Sequence, residues 1–339
     1  MNNFAYAKTT DAAQAIDQLN GSTQNKIVAG GTNINDLLKY FITTADKLVD
    51  INPFTDNHSI TELENGGVRL GALVTNADTA YHPLIESRYP LLSRAILAGA
   101  SAQIRNMATN GGNLNQRTRC YYFYDINTPC NKREPGSGCS AIGGYTRIHA
   151  ILGQSENCIA VFPSDMCVAL AALGATVNII GPGGDRVLAF ADYHRLPGDT
   201  PHIDNNLQQG EIITGIDLPA KGFKNNYSYL KLRDRASYSF ALVSVATGLS
   251  LDGNIIKEAC IALGGVAHKP WRVTAAEDFL KGKEAKRENF AAAADIILQG
   301  AQGYAYNDFK IPLAKKAIVR NCMMALNPET QRPGAQPSK

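Results

Sequence analysis

The stretch from Gln116 to Gly144 cannot build a core of its own. It holds Pro129, Pro135, Gly136, Gly138, Gly143 and Gly144 and few aliphatic residues. A coreless loop of about 30 residues is unusual inside a compact domain, so something must staple it. Cys120, Cys130, Cys139 and Cys158 are at hand, spaced C-x9-C-x8-C-x18-C. Zinc sites usually show C-x2–4-C pairs, and bacterial ferredoxin runs are tighter. Spacing alone leaves an iron–sulfur cluster, zinc or two disulfides open. Cys167, Cys260 and Cys322 lie in apolar or helical surroundings and read as buried free thiols. Seven cysteines cannot form a fully paired framework.

Just before this loop comes Thr109-Asn110-Gly111-Gly112-Asn113-Leu114, and a similar turn, Ala29-Gly30-Gly31-Thr32-Asn33, follows the apolar pair Ile27-Val28. Glycine amides can turn toward an anion and adopt φ > 0. Two such turns, each entered from a strand, could grip the two phosphates of one dinucleotide. Neither reads G-x-G-x-x-G, and neither runs into Gly-Lys-Ser/Thr. The chain therefore carries neither the Rossmann fingerprint nor a P-loop. A third pair, in Gly181-Pro182-Gly183-Gly184, reads as a plain hairpin turn.

Composition excludes several classes. The net charge of +3 is small and dispersed, and no basic run is interleaved with aromatics, which argues against nucleic acid. No apolar run reaches the ~18 residues of a membrane span. Met1 to Tyr6 lacks the basic and apolar regions of a signal peptide. No His/Asp/Ser constellation is present, so no catalytic residue is assigned.

Along the chain, Thr10 or Asp11 caps a helix to Leu19, and Lys26–Ala29 is a strand. Asn35–Tyr40 is helical with Leu37, Leu38 and Phe41 inward, and Lys47–Ile51 is a second strand. Asn52-Pro53 marks a boundary. Pro90–Gly99 and Met166–Leu173 are apolar helices, and Asp165 is either an N-cap or an acceptor for sugar or ribityl hydroxyls. Arg105 is either a phosphate partner or a surface residue. From Asn225 the texture changes to three antiparallel strands with a hairpin at Asp252-Gly253, followed by helices. Lys231 and Arg233 share one strand face, as solvated charge if nothing else holds them. His268 reads as structural. The expected units are 1–52, 53–222 with the cysteine loop at 115–158, 223–326, and a disordered tail at 327–339.

The ordered set Ile27-Val28-Ala29-Gly30-Gly31-Thr32-Asn33, Thr109–Leu114, Ser164-Asp165 and Tyr229-Leu230-Lys231-Leu232-Arg233 resembles the flavin subunit of the xanthine dehydrogenase family, over nearly the whole chain. Arg117–Tyr124, Pro129–Lys132, Gly136–Cys139 and Ala267–Arg272 narrow the likeness to the flavin subunit of periplasmic molybdenum aldehyde oxidoreductases. More distantly, the loop is similar to the β subunit of 4-hydroxybenzoyl-CoA reductase. The resemblance implies an α+β chain: a two-subdomain FAD-binding fold of the vanillyl-alcohol-oxidase (PCMH) type, then a C-terminal α+β domain like that of the CO dehydrogenase flavoprotein. It implies non-covalent FAD, with Ile27–Ile34 and Thr109–Asn113 on the pyrophosphate. Asp165 would meet the sugar or ribityl portion, Ile213 would lie against the flavin, and Lys231 would stand near the ring. It implies one [4Fe-4S] cluster on Cys120, Cys130, Cys139 and Cys158. The implied partners are a [2Fe-2S] subunit and a molybdenum cofactor subunit in a heterotrimer, and an external electron acceptor. The complex would be periplasmic through a partner's twin-arginine signal, or cytoplasmic if the partner lacks one. Two other classes fit the residues alone: a self-sufficient FAD oxidoreductase with a zinc-stapled loop, and a non-catalytic scaffold.

Overall fold

A computed structural model describes residues 1–331, and it contains three sheets. The first is parallel, with Lys47–Asp50 in the centre between Ala5–Lys8 and Lys26–Val28. Its strand Ala5–Lys8 has no sequence signature, because three of its four side chains are exposed and no apolar alternation results. Asp11 caps the helix Ala12–Asn20, accepting from the Gln14 amide, and the helix buries Ala15 and Leu19. Ile34–Lys39 buries Leu37 and Leu38. Phe41, expected inward, is 53% exposed. It takes φ 58° as the chain turns out of that helix, which swings its side chain to solvent.

The second sheet is antiparallel, in the order Ile60–Glu62, Val68–Gly71, Ile212–Leu218, Thr176–Gly181, Gly184–Ala189. Gly181-Pro182-Gly183-Gly184 is the hairpin turn the sequence suggested, with Gly184 at φ 92°. The helices Pro90–Ala98 and Asp165–Leu173 supply much of this region's core. All nine residues of Asp165–Leu173 are buried, as expected of a helix that is apolar all round. Its N-cap is Ser164, whose hydroxyl accepts from the Cys167 amide, so the capping role considered for Asp165 falls to its neighbour.

The third sheet is antiparallel, in the order Trp271–Arg272, Ile255–Gly264, Val243–Asp252, Tyr227–Leu232. The hairpin turns at Gly253, φ 55°. A short fourth strand, Trp271–Arg272, joins the three expected ones. Thr274–Leu280, Arg287–Ile297 and Lys310–Ala325 contribute to a second core over this sheet. His268 is buried, with Nδ1 2.9 Å from the Arg195 carbonyl, which fits a structural role. No helix among the described residues is long and apolar enough to cross a membrane. Of the expected disordered tail, Pro328–Thr330 forms a 3-10 turn and Gln331 Nε2 donates to Tyr227 O and Met324 O. Residues 332–339 lie outside the described residues.

Candidate functional site

The first glycine turn is an open nest of amides. Lys26–Val28 delivers the chain to Gly30 and Gly31, and Gly31 has φ 71°. A Cβ on Gly30 would stand 1.8 Å from the Met107 carbonyl oxygen, so only glycine lets this turn lie against the backbone leading into the second one. Among the described residues, the amides of Gly30, Gly31, Thr32 and Asn33 donate to no protein acceptor. The Asn33 Nδ2 is buried and also without a partner, while its Oδ1 accepts from the Arg117 amide. Consecutive free N–H groups of this kind form an anion-binding concavity.

The second turn differs from the expected strand-to-turn unit. Thr109 is the N-cap of a one-turn helix, Asn110–Leu114, and no strand precedes it. Neither Gly111 nor Gly112 has a positive φ. The Gly111 amide donates to Ala72 O at 2.8 Å, and the Gly112 amide to Thr109 Oγ1 at 3.2 Å. These amides are spent inside the protein, so the second turn is a wall of the site rather than a second cradle. Its glycines serve close approach: a Cβ on Gly111 would lie 3.2 Å from that of Ala72.

Two chambers meet at Thr32, Asn33 and Gly112. The first, about 470 Å³, is lined by the first turn, Ile27, Ile34, Thr109 and Ile213, and also by Lys26, Arg117 and Gln208–Glu211, which sequence reasoning missed. Burial, and then the neighbouring Arg117, lower the pKa of Lys26. The second, about 340 Å³, is lined by Asn113, Asp165, Lys231 and three arginines, Arg105, Arg119 and Arg235. The Nε atoms of Arg105 and Arg119 are buried without partners. Arg105 Nη1 donates to Gly99 O at 2.7 Å, so it is anchored rather than a free surface group. Val28 and Asn110 line neither chamber, while Ala29 lines the first; Asn110 is buried behind the wall, tied to Gly71 O and Thr79 Oγ1.

Lys231 is not solvated charge. Its side chain is 1% exposed, and Nζ donates to Asp165 Oδ2 at 2.7 Å and Ala98 O at 3.2 Å. Tyr229 OH donates to the other Asp165 oxygen at 2.6 Å. Burial, and then the Asp165 charge, push the Tyr229 phenol well above its usual range. The pair pins the third sheet to the helix beneath the second chamber. We expect Lys231→Met to cost about 3–5 kcal/mol in denaturant unfolding, because it leaves a buried carboxylate without its cation. Adding Asp165→Asn should recover part of that loss, and a cost under about 1 kcal/mol would mean that the pair is hydrated.

The cysteine loop has a small core after all. Cys120, Cys130 and Cys158 pack with Phe123, Ala141 and Ile159, and Cys139 lies against them. Cys130 and Cys139 face each other in an isolated antiparallel bridge. All four thiols are free and line one small cavity. Burial pushes the Cys120 thiol up to about 12 and that of Cys158 up to about 11. His149 Nε2 lies 3.1 Å from Cys120 Sγ. Among the described residues no group of three or more His, Cys, Asp or Glu side chains stands arranged to hold a metal ion. The buried Lys132 also lines this cavity and pairs with Asp204, which accepts from Arg117 Nε at 2.6 Å as well. Burial alone would raise the Asp204 carboxyl, but Arg117 and then Lys132 hold it well below the usual carboxylate range. Arg117 thus joins the first glycine turn, through Asn33, to the clasp on the cysteine loop.

Comparison with known proteins places this geometry. Residues 2–221 match the model described as "FAD binding domain in molybdopterin dehydrogenase", and residues 227–320 the "CO dehydrogenase flavoprotein C-terminal domain". The chain is similar to the aldehyde oxidoreductase FAD-binding subunit PaoB of Escherichia coli K12, 47% identical over 320 residues, covering 94% of this chain and 96% of that one. It is 29% identical to the glyceraldehyde dehydrogenase medium chain of Sulfolobus acidocaldarius, covering 83% and 82%. In fold it resembles the carbon monoxide dehydrogenase of Hydrogenophaga pseudoflava, with a TM-score of 0.75, 23% identity and 96% and 97% coverage. The chain belongs to the family of FAD-binding domains in molybdopterin dehydrogenases.

Proposed function

We propose that this chain is the FAD- and [4Fe-4S]-carrying electron-transfer subunit of a heterotrimeric molybdenum aldehyde oxidoreductase. The other subunits are a [2Fe-2S] protein and a molybdenum cofactor protein, and the complex is exported to the periplasm on a partner's signal. The observation that carries the reading is the nest at Gly30–Asn33, set at the junction of two chambers. Those amides would hold the diphosphate of FAD, and a bound flavin would supply two-electron uptake with one-electron release. Ile213 lines the first chamber. Asp165 and Lys231 lie along the second, holding one another and acting on the cofactor by position. What supports an iron–sulfur cluster is the chemistry of the donors: Cys120, Cys130, Cys139 and Cys158 are four thiols, otherwise free, round one cavity. Such ligands must lose their protons on loading, so cluster assembly releases protons.

Among the described residues no group is placed to activate water or to take hydride from an aldehyde. Loaded with its cofactors but without partners, it should not be reduced by aldehydes in anaerobic stopped-flow, and adding both partners should restore aldehyde-dependent reduction. Rapid flavin bleaching by aldehyde in the chain alone would point instead to a self-sufficient flavoenzyme. Flavin bands with broad iron–sulfur absorption, backed by iron and sulfide assay, test the cofactor assignment directly.

A further inference from the structure

Cys130 and Cys139 stand opposite one another across an isolated antiparallel bridge. Two backbone bonds bracket the pair: the Asn131 amide donates to Gly138 O at 2.6 Å, and the Ser140 amide to Pro129 O at 3.1 Å. This is the pattern of a non-hydrogen-bonded cross-strand pair, in which the α-carbons lie about 4.5 Å apart and the side chains are closest. A disulfide spans roughly 4.4–6.8 Å between α-carbons, so the pair falls within its reach. Both side chains also line the same small cavity, so they leave the backbone on one face.

The pairing is held by groups other than sulfur. Asn131 Oδ1 accepts from the Gly136 and Gly138 amides at 3.1 and 2.8 Å, and Ser137 Oγ accepts from the Cys130 amide at 3.0 Å. Gly138, at φ 102°, lets the returning chain come back against Cys130. The other two thiols are placed differently. Cys120 leads into the helix Tyr121–Tyr124, with His149 Nε2 3.1 Å from its sulfur, and Cys158 pairs with Ser155 in its own turn. Cys120, Cys130 and Cys158 are buried, whereas Cys139 is half-buried and is the one of the four that solvent reaches most.

We infer that Cys130 and Cys139 close to a disulfide when an oxidant reaches the chain before its metal does, and that this bond and the proposed cluster are mutually exclusive states of one loop. The oxidant is of the small-molecule disulfide class, such as oxidised glutathione. The Cys139 sulfur attacks it and releases one thiol, leaving a mixed disulfide. The Cys130 sulfur then attacks Cys139 and releases the second thiol. One S–S bond breaks and one forms; the two protein thiols lose two electrons and two protons, and the oxidant leaves with both as two thiols. Oxidation thus withdraws two of the four donors, and a cluster in place withdraws both sulfurs from the oxidant. The disulfide stands on the pairing alone, while the exclusion rests on the cluster reading.

The test strips the full chain of iron with a chelator under reductant, removes both anaerobically and divides the protein. One half is kept reduced and the other is incubated with oxidised glutathione. Free thiols are alkylated, and linked peptides are sequenced by fragmentation, which tells Cys130 from Cys120. The expected result is loss of two of the seven free thiols, with Cys130–Cys139 the dominant link in wild type and in Cys120→Ser alike. Cys130→Ser should stop at the mixed disulfide on Cys139. The wild-type map needs no variant, so misfolding of either variant leaves the test intact. Each wild-type half is then given ferrous iron and sulfide. The oxidised half should take up less than about a tenth of the iron bound by the reduced half, and dithiothreitol should restore it, because a cluster needs its thiolates. A different linked pair, seven free thiols after oxidation, or equal iron uptake by both halves overturns the inference. A Cys130–Cys139 link in a chain whose reduced half binds no iron would instead sink the cluster reading and leave the disulfide standing.

Discussion

Gly31→Val should leave the purified chain with less than about a tenth of its FAD. Gly31 has φ 71°, a region that costs an ordinary L-residue about 1–2 kcal/mol and suits a β-branched one least. An added Cβ would stand 2.7 Å from Asn35 Nδ2, and the valine methyls would extend from the nest whose free amides are the cradle. Strain and obstruction therefore act at the same place. The parallel sheet behind the turn is untouched, so the circular dichroism spectrum should keep its shape. Gly183→Ala is the matched control: its φ is not positive and nothing lies within 4 Å of its Cβ position. Full flavin content in Gly31→Val would defeat the cradle. The same change at Gly111 should also harm flavin retention, but by pushing against Ala72 rather than by filling an anion site.

That distinction marks where sequence reading stops. Gly30-Gly31 and Gly111-Gly112 look alike as strings, yet one turn leaves its amides free and the other spends them. The difference comes from Ala72, which accepts the Gly111 amide from a strand-end segment that no local pattern connects to it. Lys231 is a similar case. Its alternation on a strand was legible, but its partner Asp165 is 66 positions away, and only the meeting of sheet and helix turns a plausible surface charge into a buried pair. Elements with local chemistry were readable: the Asp11 cap, the Gly253 hairpin, and the apolar helix Asp165–Leu173. The parallel strand Ala5–Lys8 was not, because an exposed edge carries no hydrophobic period. The cysteine loop was legible as something needing a staple. Its second fastening, Lys132 and Arg117 on Asp204, was hidden because the acid comes from another loop.

That second fastening shapes the other large effect. On the proposed cluster assignment, Cys130→Ser should lose most of the iron and acid-labile sulfide and keep its FAD. A serine hydroxyl is a poor substitute for a soft thiolate at iron, so one ligand is removed outright. The loop should not collapse, since its own bonds do not run through the sulfur. The Cys130 amide donates to Ser137 Oγ at 3.0 Å, and Asn131 Oδ1 accepts from the Gly136 and Gly138 amides. Asp204 is not part of the cavity lining, and it holds Arg117, whose amide donates to Asn33 Oδ1 in the first glycine turn. Flavin content should therefore stay near one per chain while iron falls. Cys260→Ser, in a strand of the third sheet and outside the cavity lining, should leave iron unchanged. Iron content and a reduced-state EPR signal equal to wild type in Cys130→Ser would show that Cys130 is no ligand. Joint loss of iron and flavin would show instead that the cluster, and not the clasp at Asp204, holds the loop against the cleft.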